Sequence, residues 1–399
     1  MDWREGFRHR AGREEFARFP RRPRAGAAVV AVLAVTVPAP SGILGQSLAS
    51  PGAPGRQEAR GPVAYVLNGK TDTVTPVNTV TNKPGKPIKV AADAGVIVIT
   101  PDGKTAYVAS DASGTVTPIS TVTNTPGKPV KVGDFPGGMT VTPNGKTLYV
   151  ANINSNTVTP INTATNIAGT PIKVGIRPRA VAVTPDSTTA YVINQASNTV
   201  TPIATATNKP GKPVKVGNGP LAIAMAPDGK TVYTANPGYS GTAHSVTPIN
   251  TGTNAAGKPV TVGLFPFAIA VTPDSKTAYV VNLGSGTVTP IATATNKPGK
   301  PVKVGREPQA IAITPNGATA YVPNYPSGTV TPINTATNTP GRPVKVGAGA
   351  LAVAITPNGK TAYAVSYTAG TVTPITTATN TAGRPIRIGS GAFAIAITP

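Results

Sequence analysis

The chain has 399 residues, 43 Gly, 44 Pro, no cysteine and a formal charge of +22. The missing cysteine excludes disulfides, thiolate-bound metals, thiol catalysis and lipidation on cysteine. An excess of 36 Lys and Arg over 14 Asp and Glu directs the surface toward anionic partners.

Residues 1–24 carry eight Arg and four acidic residues, and the apolar run "AGAAVVAVLAVTV" follows at 25–37. Thirteen residues are too few to span a bilayer as a helix. With the small residues Ser47 and Ala49 before "SPGAPG", the segment 1–49 reads as an export signal cut near Ala49. An uncleaved anchor and an upstream extension from a misplaced start codon are the alternatives. Residues 50–61 read as a linker. On the export reading the mature chain is secreted or held at the cell surface, with no integral membrane segment.

From residue 62 onward the sequence repeats. Tyr65, Tyr107, Tyr149, Tyr191, Tyr233, Tyr279, Tyr321 and Tyr363 recur every 42 residues, with a single 46-residue step. Such a period marks a propeller or a solenoid. Each unit divides into four β-like segments, for example 137–143, 147–153, 156–165 and 170–175, and no ten-residue helical pattern appears. "TPDG" at 100–103 suits a type I turn between the first and second segments. "KPGK" at 83–86 places Pro and Gly as a type II turn demands, between the third and fourth.

Four antiparallel strands in about 40 residues make a propeller blade. The "TAYVAS" and "KTLYVAN" strands, each followed by a "TVTP" segment, resemble the YVTN-type β-propeller repeat over residues 62–399. One departure is the Pro of "TVTP", where that family carries a β-branched residue. The repeats open on a second strand and stop at "FAIAITP" (393–399), a first strand, so each strand type occurs eight times. The expectation is an all-β, eight-bladed ring, with the C-terminal strand completing the first blade. An open solenoid is the rival, disfavoured by the long units and the lack of a cap.

The fourth strand of a blade is outermost, and Pro and Lys blunt such an edge. Its two basic positions are Lys86 and Lys89, Lys128 and Lys131, Lys212 and Lys215, Lys300 and Lys303, Arg342 and Lys345, and Arg384 and Arg387, with one basic residue each in the units of Lys173 and Lys258. Closed into a ring they form a cationic girdle. Protection against aggregation suffices to explain it; attraction to an anionic cell-wall polymer or glycan is the functional reading. Nucleic acid is not expected, because stacking aromatics are not interleaved with these basic residues.

Loops between the second and third strands, and between blades, vary, and alternation puts them all on one face. They bring Arg177, Arg179, Phe265, Phe267 and Arg306, with Tyr239 and His244 from the only insertion. These seven are the candidate contact patch; the competing reading has the Phe residues plugging the channel and the Arg residues solvated. The repeat region holds a single His, so it builds no His triad and no multi-His metal site. Asp72, Asp93, Asp111 and Asp134 cluster in the early blades, but no spaced loop motif supports Ca²⁺ there. The expected function is a monomeric binding or structural module without cofactor or metal, its partner a protein or an anionic wall polymer. A hydrolase or lactonase at the channel mouth is the alternative, resting on architecture alone.

Overall fold

A computed structural model describes residues 61–238 and 244–399. The segment read as an export signal, Tyr239 and the rest of the insertion before His244 lie outside the described residues, as does the linker apart from Gly61. The described residues are strands and turns only, arranged as eight antiparallel sheets in a ring. None of them forms a helix long and apolar enough to cross a membrane.

Blade three shows the plan: a first strand Pro136–Val141, a second Thr147–Asn152 and a third Thr157–Asn162. The outer strand is two short pieces, Ile167–Ala168 and Ile172–Lys173, both paired to the third strand. Blade one is composite. Its second strand, Val63–Asn68, pairs with Thr73–Asn78 on one side and with the C-terminal Ala392–Ile397 on the other. The ring therefore closes as expected, with Ala64 opposite Ile397 and Leu67 opposite Ala394.

The apolar run of each second strand follows from burial on both faces. Leu148 and Val150 enter the core shared with blade two, and Tyr149 and Ala151 enter the core shared with blade four. Eight such cores lie between adjacent blades and together form the interior. Continuous apolar strands are what two covered faces require.

Every second-strand Tyr is fully buried and crosses to the next blade. Tyr107 Oη donates to Asn166 Oδ1 at 2.7 Å, and Tyr149 repeats the bond to Asn208 at 2.7 Å. The series ends with Tyr363 donating to Asn82 of blade one at 2.6 Å, which ties the two ends of the propeller together. The acceptor Asn sits in the left-handed region in every blade, for example φ 56° at Asn124, a conformation Asn tolerates better than most side chains.

That Asn corrects the turn expected at "KPGK". The hairpin reverses at "TATN"-type residues such as 163–166, and the Gly of "KPGK" does not adopt positive φ in any blade. It lies within the outer strand: Gly127 N–H donates to Pro118 O at 2.7 Å. A Cβ at Gly127 would come within 3.2 Å of Pro118 Cγ, so glycine is needed for close approach to the proline. Within a strand the N–H and C=O of one residue point to the same side. The N–H that Pro118 lacks would therefore face the outer strand, and the outer ladder is thin.

The "TPDG" turn forms as read: Gly103 N–H donates to Thr100 O at 2.8 Å, and Asp102 Oδ1 accepts from Thr100 Oγ1 and the Lys104 N–H. The Thr184 hydroxyl likewise holds the Asp186 carboxyl below the usual carboxylate range. Both constant turns share one face, since Thr121 N–H donates to Lys104 O across them. Blade seven departs from the plan. Its second strand carries Pro323, which has no N–H to donate, and its first strand shortens to Ala312–Ile313.

Candidate binding surfaces

At the varied face, the first strand of most blades begins with a β-bulge. In blade four the register slips between Pro178 and Ala180, leaving Arg179 as the extra residue; in blade six the same slip isolates Phe267. Gly95, Gly137, Leu351 and Phe393 take this place in four further blades. Bulges re-aim side chains at barrel rims and beside functional sites. Here they set one varied residue at the channel mouth in each of these six blades.

Two positions earlier, the chain turns through the left-handed region. Asp93, Phe135, Arg177, Phe265 and Glu307 have φ between 46° and 57°, while Gly219, Gly349 and Gly391 fill this place elsewhere. A bulky side chain there costs roughly 1–2 kcal/mol relative to glycine. Five blades accept that cost and so place a charged or aromatic group at the mouth.

The mouth divides into two sectors. Blades two to four supply Asp93, Asp111, Arg177, Arg179 and Gln195. Arg179 is only 6% exposed, and its Nε donates to Gln195 Oε1 at 2.9 Å. No carboxylate among the described residues lies within ion-pair distance of it. Burial, then the neighbouring Arg177 charge, pull its pKa down to about 10, against the attraction of Asp111. Asp111 is pushed up to about 7 by burial and then by the Asp93 charge, with Arg179 opposing. Its Oδ1 is buried without a hydrogen-bond donor. Glycine at position 95 leaves the room this carboxylate occupies, since a Cβ there would stand 3.3 Å from both oxygens.

The remaining blades are mostly apolar at this rim. Phe265 stacks on Phe267 with ring centroids 6.4 Å apart, and Leu221 is buried. Phe393 belongs to a core against which Leu351 and Tyr367 of blade eight pack, and Lys70 lies 5.6 Å from the Tyr367 ring centroid. Between these groups, Gln309 of blade seven has a buried Nε2 without an acceptor.

The contact patch read from the sequence is thus only partly one surface. Arg177 and Arg306 are exposed, as solvated arginines would be, but Arg179 is buried, which corrects the solvated reading for that residue. Phe267 is buried and Phe265 half-buried in the wall of blade six. His244 is half-buried, with Nδ1 hydrogen-bonded to Pro237 O of its own loop. Gln195 was missed, and Asp111 was weighed only with the early-blade carboxylates for Ca²⁺, not as part of this site. The available signal was their shared position, immediately after the second strand, opposite the bulge residues.

The second surface is the perimeter. Lys86, Lys89, Lys128, Lys131, Lys212, Lys215, Lys300, Lys303, Arg342, Lys345, Arg384 and Arg387 are all exposed on the outer strands, together with Lys173 and Lys258. Against the 26 Lys and Arg of residues 61–399 stand 9 Asp and Glu. Among the described residues only Lys89 and Lys276 lie within 4.0 Å of a carboxylate. No group of three or more His, Cys, Asp or Glu among the described residues is placed to hold a metal ion.

No protein-family model and no curated protein sequence matches the chain. Solved structures do. Hydrazine synthase of Kuenenia stuttgartiensis is similar at 24% identity over 71% of this chain and 95% of that one, with a TM-score of 0.60. The dihydro-heme d1 dehydrogenase NirN, in complex with DHE, has a TM-score of 0.72 at 15% identity, covering 86% of this chain and 77% of that one. Apo AztD from Citrobacter koseri follows at 0.66 and 12%, covering 84% and 97%. At these identities the likeness shows the β-propeller fold alone.

Proposed function

We propose that this chain is an exported propeller of the YVTN type that acts as a binding module at the cell surface, its cationic perimeter engaging an anionic wall polymer or glycan. One observation carries the reading: fourteen of the sixteen basic-pattern positions on the outer strands hold Lys or Arg, all of them exposed and repeated around a closed ring. A single exposed ion pair contributes about 0–1 kcal/mol, so no lysine suffices alone. A flexible polyanion that follows the perimeter meets many at once, and their contributions accumulate. The thin outer ladder suits this role, because the strand presents side chains and leaves the blade's core undisturbed.

The test is binding of purified wall teichoic acid, with a neutral glycan as control, at about 0.05 M and 0.5 M salt, where the screening length falls severalfold. Affinity should drop at least about tenfold at the higher salt. It should also drop in a variant carrying Lys128→Glu, Lys131→Glu, Lys212→Glu and Lys215→Glu. Equal binding to the neutral glycan, or affinity indifferent to both salt and charge reversal, rejects the proposal.

A further inference from the structure

We propose that the channel mouth on the varied face is a second, separate site, which takes a small organic carboxylate with an apolar body: the carboxylate on Arg179 and Asp111, the body against the apolar part of the rim, where Phe265 and Leu351 are half-buried.

The argument begins with two deficits in the polar sector. Arg179 is 6% exposed and bonds through Nε to Gln195; no acceptor among the described residues meets its terminal nitrogens, which keep access to solvent and so to a ligand. A buried guanidinium without a counterion is costly, and its planar fork matches a carboxylate in bidentate fashion. Asp111 has the opposite deficit, a buried oxygen with no donor. A carboxyl in that state is favoured as the neutral acid, which carries its own O–H. One ligand carboxylate answers both, by accepting two N–H bonds from Arg179 and the O–H of Asp111. An amine or metal cation would satisfy Asp111 only, and would meet Arg179 and Arg177 as like charges.

The rest of the mouth sets the ligand's other end. Blade three, between Asp111 and Arg179, contributes Gly137 and Gly138. A Cβ at Gly138 would collide with Arg179 O, so the two inner strands touch there through backbone. Beyond the polar sector the rim is apolar: Leu221, Phe267 and Phe393 are buried and back it, and Phe265 and Leu351 stay half-buried. A wholly polar anion leaves those two unused, whereas a planar or branched apolar body covers them.

Protonation gives the site a signature. The charged groups acting on Asp111 are Asp93 and Arg179, with Arg177 beside the latter. Asp72, a step further, receives the Asp93 N–H on its Oδ1. With the Asp111 carboxyl near 7, the acid that donates to the ligand is present at pH 6 and mostly ionised at pH 8. A ligand that needs this proton binds about tenfold more weakly at pH 8 than at pH 6.

The experiment titrates benzoate into the full chain by calorimetry at both pH values, with benzamide, benzylamine and inorganic phosphate as comparison probes. Benzoate should bind best and lose about tenfold from pH 6 to pH 8. Asp111→Asn, which carries a permanent N–H donor, should bind benzoate equally at both pH values. Arg179→Gln should weaken benzoate about 10- to 100-fold. If that variant does not fold, Arg179→Lys tests the same point, since it keeps the charge and loses the fork. Benzoate binding no better than benzamide or benzylamine, phosphate matching it, or an Asp111→Asn profile as steep as the parent's overturns the assignment. These substitutions leave the outer strands untouched, so this site and the perimeter fail or stand independently.

Discussion

Raising the pH should unfold this propeller abruptly, because a buried phenol bonds every blade to the next. The eight second-strand tyrosines are pushed up to about 12, chiefly by burial. In the unfolded chain the same phenols ionise near 10. Between those values the folded state holds protons that the unfolded state releases, so stability is intact below pH 10 and falls as pH rises toward 12. One pKa unit is worth about 1.36 kcal/mol, which makes two units at most about 2.7 kcal/mol per tyrosine. Even at half that figure, to allow for residual solvation, eight tyrosines remove about 11 kcal/mol, comparable with the 5–15 kcal/mol stability of a typical domain. The assay is tyrosinate absorbance recorded with far-ultraviolet circular dichroism along a pH titration. The two signals should move together in one steep transition above pH 10. Tyr149→Phe should flatten that transition by about one eighth, and at neutral pH should cost about 1–2 kcal/mol as Asn208 loses its donor. The chain has 11 tyrosines, so absorbance that gains more than three elevenths of its amplitude near pH 10 while the dichroism holds would mean that the second-strand phenols are accessible, and would refute the reasoning.

Two further predictions concern the outer strand. Gly211→Ala places a Cβ 3.2 Å from Pro202 Cγ and should cost about 1 kcal/mol in chemical denaturation; combined with Pro202→Ala that cost should vanish, and a cost that persists would remove the proline as its cause. Pro118→Val restores an N–H facing Gly127, so hydrogen exchange of the outer strand of blade two should slow about fivefold or more, with overall stability within about 1 kcal/mol of the parent. Unchanged exchange there would show that the missing donor does not limit the outer ladder.

The tyrosine period, the apolar second strands and the split of one blade between the two ends of the repeat region were enough to count eight blades and foresee their closure. These are local or arithmetic properties, repeated eight times, and each copy corroborates the others. "KPGK" misled because Pro-Gly satisfies the rule for a type II turn in isolation. The reversal went instead to the Asn of "TATN", whose side chain is needed by a tyrosine one blade away. Its spacing from the tyrosine is visible in every repeat, but the bond spans two units, and only their packing shows that one reaches the other.

The mouth was legible as a set of varied loops and no further. Arg177, Arg179 and Arg306 look alike in sequence, yet one is buried and two are exposed. The difference is a single-residue bulge at Arg179, and Gly138 of the neighbouring blade lets the two backbones touch there. The number of blades, the basic outer edge and the strand that closes the ring follow from period, composition and counting, which do not depend on how units face one another. Which side chains share a site depends on the rotation from blade to blade, which brings residues some seventy positions apart, such as Asp111 and Arg179, into one electrostatic environment.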